Sequence, residues 1–281
     1  MDRFGGSVVQ RRGLEGVVWV LSPTSNFEAT VGFFDELKGL VLEDSGTPTQ
    51  DLQFSRYAMF RTLNGVVLEV VEPIAEKADL FTHPVVSISV RDLPATRTRL
   101  DDQGVDFITD IIGTDSEASW TYFRSPCGTL YQLSEDSSVE QPEPVLVGSP
   151  GIERIVVPCR SLDETVEFFE RALGFAVQVG EVGGEFSHFS RSAQVPMKNG
   201  FVLQLVEPRP VARNLYGGPV VALTIEDLPS EIARLEERGI PLEVGNDTVG
   251  GHPDWCCFQV PGGTVFRIQG SLATRSEQQA E

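Results

Sequence analysis

Apolar positions along the first half of the chain alternate between two periods. Val17 to Leu21 is a β-branched run, and behind it Phe27, Val31, Phe34 and Leu37 recur at helical spacing. Asn26 is placed to cap that helix and Gly39 to stop it. Strand-like segments follow around Leu42, at Phe54 to Thr62 and at Val66 to Val71, the last two joined at Asn64-Gly65. Val85 to Val90 predicts a further strand, and Leu93 to Gln103 a helix with Pro94 in its first turn and Gly104 past its end. Strands at Phe107 to Ile111, Trp120 to Arg124 and Thr129 to Leu133 complete the stretch. The order β, α, β, β, β thus occurs twice.

The same pattern returns at a constant offset of 135 residues. Asn64-Gly65-Val66-Val67-Leu68-Glu69-Val70-Val71-Glu72-Pro73 reappears as Asn199-Gly200-Phe201-Val202-Leu203-Gln204-Leu205-Val206-Glu207-Pro208. Phe33-Phe34 matches Phe168-Phe169, Phe54-Ser55-Arg56 matches Phe189-Ser190-Arg191, and Asp92-Leu93-Pro94 matches Asp227-Leu228-Pro229. Trp120 matches Trp255, and Pro126-Cys127-Gly128-Thr129 matches Pro261-Gly262-Gly263-Thr264. Chance would not hold register over this distance, so the chain is a tandem duplication. It divides into a flexible start (1–13), a first domain (14–136), a linker rich in Ser, Glu and Pro (137–149), a second domain (150–270) and a polar, disordered tail (271–281).

Composition narrows the function classes. With 22 Lys+Arg against 41 Asp+Glu, a net charge of -19 argues against a nucleic-acid partner. No apolar run reaches the ~18 residues of a membrane span, and the first residues lack a signal-peptide core, so a cytoplasmic protein is expected. Four cysteines, two of them adjacent, predict reduced thiols rather than a disulfide framework.

The helix ending in Phe-Phe, the Asn-Gly strand closing on Val-Glu-Pro, the Asp-Leu-Pro helix start and the final Pro-x-Gly-Thr hairpin, in this order and duplicated, resemble the vicinal oxygen chelate (VOC) superfamily. That group includes glyoxalase I, bleomycin- and fosfomycin-resistance proteins, extradiol dioxygenases and methylmalonyl-CoA epimerase. The resemblance implies an α+β fold of four βαβββ modules forming two tandem cup-shaped domains. It also implies four strand positions where such enzymes hold a metal through His, Gln or Glu. Those positions fall on Trp19, Glu69, Val85 and Gln132 in the first repeat, and on Arg154, Gln204, Val220 and Arg267 in the second. An indole, an isopropyl group and permanently charged guanidiniums cannot complete a metal shell, so no metal site and no cofactor is expected. Of the three histidines, His83 lies nearest a family position, as a weak ligand candidate, while His188 and His252 read as structural or exposed.

Strand alternation then separates the faces. Val66, Leu68, Val70, Val86, Ile88, Val90, Phe123 and Phe258 form apolar faces suited to the helices. Phe54, Arg56 and Ala58, repeated as Phe189, Arg191 and Ala193, read as scaffold on the same side. The first cup is left with Trp19, Tyr57, Met59, Glu69, Trp120, Tyr122 and Gln132, aromatic walls around one carboxylate that suit a flat apolar or cationic molecule. The second holds Arg154, Gln204, Trp255 and Arg267, with Cys257 on the same face, unless these groups satisfy one another. The expectation is a metal-independent binding protein that sequesters an aromatic or cationic compound in the N-terminal cup. The alternative is a glyoxalase- or dioxygenase-like enzyme, either with displaced metal ligands (Glu69, Gln132, His83) or metal-free with Glu69 as general base. Four modules in one chain allow a monomer as well as a homodimer.

Overall fold

The computed structural model describes residues 14–48, 53–113, 118–136, 144–146, 149–180, 188–245 and 254–270. The start, the tail, most of the linker and His252 lie outside these. In the first domain the elements are β1 (Leu14–Pro23), α1 (Phe27–Asp35), β2 (Leu40–Gly46), β3 (Phe54–Thr62), β4 (Val67–Pro73), β5 (Val85–Val90), α2 (Leu93–Asp101), β6 (Asp106–Phe107), β7 (Ile112–Gly113), β8 (Ala118–Arg124) and β9 (Leu130–Asp136). The second repeats them as β10 (Gly151–Pro158), α3 (Leu162–Glu167), β11 (Gln178–Gly180), β12 (Phe189–Pro196), β13 (Val202–Pro208), β14 (Val220–Ile225), α4 (Leu228–Glu237), β15 (Leu242–Gly245), β16 (Trp255–Gln259) and β17 (Val265–Gly270). A π-helical turn at Phe168–Ala172 extends α3.

Each domain is one mixed sheet. The strand orders are β2-β3-β4-β1-β5-β9-β8-β6, with β7 also on β8, and β11-β12-β13-β10-β14-β17-β16-β15. Within each module the last strand returns parallel to the first, as β1 with β4 and β5 with β9. The two modules then join through the antiparallel pair β1 and β5. This is the α+β, four-module arrangement expected from the sequence. Among the described residues no helix is long and apolar enough to cross a membrane.

Two local expectations change. Asn26 makes no side-chain cap; its N–H donates instead to the Thr24 hydroxyl at 3.0 Å, and that hydroxyl also pairs with Thr30. The strand foreseen at Phe107 to Ile111 is interrupted, because the Thr109 hydroxyl accepts the Tyr122 N–H at 3.1 Å where a carbonyl would continue the ladder.

The helical faces of both sheets share one core. Phe33 and Phe34 of α1 meet Phe258 and Phe266 of the second domain, at ring centroid distances of 5.6 and 4.9 Å. In return, Phe169 meets Tyr131 of the first domain at 5.8 Å. Each such buried ring contributes about 1.5–3 kcal/mol through loss of water contact. The repeated Asn-Gly turns lock the seam as well: Asn64 donates to the Ile152 carbonyl and Asn199 to the Val17 carbonyl, at 2.9 and 2.7 Å. Opposite them lie Gly151 and Gly16, with no Cβ to obstruct the amides. Val145, in the connecting segment, is buried in this core and donates to the Asn199 carbonyl.

Candidate functional site

The face of each sheet turned away from the shared core carries its own side-chain cluster. In the first domain it gathers Leu21, Phe54, Val71, Phe81, Val85, Tyr122 and Leu130, with Tyr57 and Trp120 packed against them. The apolar set Val66, Leu68, Val70, Val86, Ile88, Val90 and Phe123 lies in the shared core, as alternation required. Phe54 and Phe189 are the exceptions. Register shifts between Phe54 and Arg56, and between Phe189 and Arg191, turn both phenylalanines onto the cup face, while Ala58 and Ala193 stay on the scaffold side. One extra residue in a strand reverses the alternation that follows it.

Strand register orders the cup residues into rows. Trp19 neighbours Ser87, which neighbours Gln132, which neighbours Tyr122. Glu69 lies in the adjoining row between Met59 and Leu21, and Leu21 is followed by Val85. The buried Gln132 amide donates to the Tyr122 hydroxyl at 3.0 Å. Tyr57 sits at the rim, its hydroxyl donating to Asp44 at 2.9 Å. That bond, partial burial and the nearby Asp44 and Glu69 charges raise the phenol above its ordinary pKa. The indole N–H groups of Trp19 and Trp120 are buried and meet no acceptor among the described residues. Leaving such a donor unmatched costs about 1–3 kcal/mol, which an acceptor on a bound molecule would recover; the Trp255 indole of the second cup is likewise unmatched among the described residues.

Phe81 was not anticipated. It lies beyond the short helical turn Ala75–Lys77 that follows β4 and folds back over the sheet, 4.8 Å from Phe54 and 5.3 Å from Tyr122 between ring centroids. No periodic pattern marks that connecting segment; a lone buried aromatic in it is the only trace.

The second cup is packed with its own side chains. Tyr216, the positional counterpart of Phe81, meets Phe189 at 4.9 Å and lies beside Cys257 and Arg267. Burial pushes the Tyr216 phenol well above its ordinary pKa, an effect the adjacent Cys257 reinforces. Arg267 stacks over Trp255 at 4.5 Å, and His188 meets the same indole edge-on at 5.3 Å. Arg154 and Arg267 share a row with only Ala222 between them, and neither residue is without a partner. Gln204 stands in the next row, beside Gln194 and Val156.

The family's metal positions do not form a donor set in either domain. Val85 is fully buried among apolar side chains, Gln132 is held by Tyr122, and Glu69 lies three strands from Gln132 in another row. His83 precedes β5 and turns away from the cup, packing on Gly218 of the second domain. Among the described residues no three His, Cys, Asp or Glu side chains cluster to hold an ion. The residues present do not fit a divalent metal at these positions.

Comparison with known proteins finds others of this fold. Residues 151–268 match the model of the Glyoxalase/Bleomycin resistance protein/Dioxygenase superfamily. Similar solved structures include a Mn(II)-bound glyoxalase from Novosphingobium aromaticivorans (18% identity, 92% of this chain and 83% of that one, TM-score 0.59). A mutant 4-hydroxymandelate synthase from Streptomyces coelicolor (14%, 92% and 93%, 0.59) and the 2,3-dioxygenase LapB from Pseudomonas sp. KL28 (15%, 92% and 93%, 0.58) are also similar. At these identities the likeness is one of fold. No curated protein sequence matches.

Proposed function

Because residues 151–268 make the second domain a member of the glyoxalase/bleomycin resistance protein/dioxygenase superfamily and the first domain repeats its topology, we propose that this tandem VOC protein binds a flat aromatic or cationic small molecule in its first cup without a metal. The observation that carries this reading is the pair of buried indole N–H groups, Trp19 and Trp120, without acceptors among the described residues on a face that also holds Glu69. Trp19, Trp120 and Tyr57 supply π surface, Met59 a deformable wall, and Glu69 the negative charge a cation would meet. The second cup, filled by Tyr216, Phe189, Trp255 and Arg267, serves as the stabilising partner.

The test is a tryptophan-fluorescence titration of the full chain with a planar aromatic cation such as 9-aminoacridine. Saturable quenching is expected, weakened roughly 5–30-fold by Glu69→Ala, the ~1–2 kcal/mol of one cation contact, and unchanged by Trp255→Phe. No response, or equal responses with and without Glu69, refutes the proposal. The second reading, Glu69 as a metal-free general base, rests on the same carboxylate standing beside the Tyr57 phenol, and it requires chemical conversion of the bound compound.

A further inference from the structure

The domain seam is built twice, and the two versions differ in chemistry. At one end Thr24, just past β1, faces Gly262 in the β16–β17 turn so closely that a Cβ at Gly262 would fall 1.9 Å from the Thr24 hydroxyl. The Thr24 hydroxyl pairs with Thr30, and Thr264 donates to the Pro23 carbonyl. At the other end the repeat replaces Thr24 with Cys159 and Gly262 with Cys127. Two thiols therefore stand where the first seam has a hydroxyl and a glycine in contact, and Cys127 lines one cleft together with Pro158, the residue before Cys159. Cys127 belongs to the β8–β9 turn of the first domain, and Cys159 follows β10 of the second.

Their surroundings are unequal. Cys127 is partly exposed and lines a cleft of about 110 Å³ between the domains, with His83, Arg124 and Thr129 on one side and Pro158, Gly218 and Pro219 on the other. The Ser125 and Thr129 hydroxyls lie 3.1 and 3.4 Å from its sulfur. Cys159 is 5% exposed and sits 3.5 Å from the Val157 carbonyl, an acceptor that favours the protonated thiol. The neighbouring Cys159 thiol, then the Ser125 and Thr129 hydroxyls, bring Cys127 down to about 5, while Cys127 and burial push Cys159 up. An accessible thiolate beside a buried thiol is the asymmetry that an attacking and a resolving cysteine require.

We propose that Cys127 and Cys159 are a reversible dithiol–disulfide couple across the domain seam, oxidised by a small hydroperoxide that enters the adjoining cleft. The Cys127 thiolate attacks the terminal peroxide oxygen, the O–O bond breaks, and the leaving alkoxide or hydroxide takes up a proton, which gives Cys127 sulfenic acid and an alcohol or water. The Cys159 sulfur then attacks the Cys127 sulfur, the S–OH bond breaks, and the departing hydroxide leaves as water with the Cys159 proton. One hydroperoxide is reduced and two thiols are oxidised, with the domains covalently joined.

The test uses the reduced full-length chain. Hydrogen peroxide is expected to remove two of its four thiols and to yield a Cys127–Cys159 cross-linked peptide on mass mapping. Cys159→Ser, which keeps the size of the side chain opposite Cys127, is expected to keep the fold and to accumulate Cys127 sulfenic acid that dimedone traps. Cys127→Ser is expected to abolish both products. At about pH 6 the thiolate fraction favours Cys127 over an ordinary thiol ~300-fold and its weaker nucleophilicity returns ~40-fold, so iodoacetamide should alkylate it roughly tenfold faster. Overoxidised Cys127 with Cys159 intact, a cross-link to Cys256 or Cys257 instead, or alkylation at an ordinary rate overturns the proposal. A cross-link formed with glutathione disulfide but not with peroxide overturns the assigned oxidant.

Discussion

Gly16→Ala gives a stability change whose sign depends on the domain seam. Gly16 has no left-handed backbone angle, so on its own strand alanine would be accommodated. Such a replacement ordinarily stabilises by about 0.4–1 kcal/mol through the unfolded chain. Here the new Cβ would fall 2.4 Å from the Asn199 amide carbon and oxygen, far inside contact distance. Asn199 must then withdraw, and its 2.7 Å hydrogen bond to the Val17 carbonyl is lost. Loss of the bond and of the carbonyl's buried partner costs about 2–3 kcal/mol. For a protein of this size that corresponds to a fall of roughly 5–10 °C in Tm. Calorimetry of Gly16→Ala, Asn199→Gly and the double variant decides the matter. The double variant should be no less stable than Asn199→Gly, because the clash has been removed. An unchanged or raised Tm for Gly16→Ala, or losses that simply add, would refute the seam as described.

Other expectations follow from the same geometry. Phe34→Ala, which empties a fully buried site between Phe60 and Phe266, should cost about 3–5 kcal/mol by chemical denaturation. Tyr122→Phe leaves the buried Gln132 amide without its acceptor and should cost about 1–3 kcal/mol. Hydrogen bonds from Arg56, then Ser55, hold Glu72 below the ordinary carboxylate range. A depressed carboxylate stabilises the fold above its unfolded pKa, and that gain disappears as pH falls through the folded value. Arg56→Met should therefore narrow the difference in urea midpoint between about pH 7 and about pH 3.

Most of the fold was legible because two sheets with one apolar face each impose a strict period of two. Val66, Leu68 and Val70 point to the shared core and Val71 to the cup for that reason alone. Phe54 and Phe189 escaped because a bulge leaves no periodic mark in a single chain. Phe81 and Tyr216 escaped because they sit in irregular connections and reach the cups only through the tertiary fold. Cys127 and Cys159 are 32 residues apart and lie in different repeats, at positions where the repeats disagree. Matching identical residues between the copies draws attention away from such a pair, which only the packing of one domain on the other brings together.

Elemental analysis of the full chain decides whether the first cup works without a metal. The protein is purified without chelators, incubated with Mn(II), Fe(II), Ni(II) or Zn(II), and desalted. Indole, isopropyl and amide groups at the family's ligand positions should leave less than about 0.1 ion per chain. Retention of roughly one ion per chain that Glu69→Ala abolishes would contradict the account.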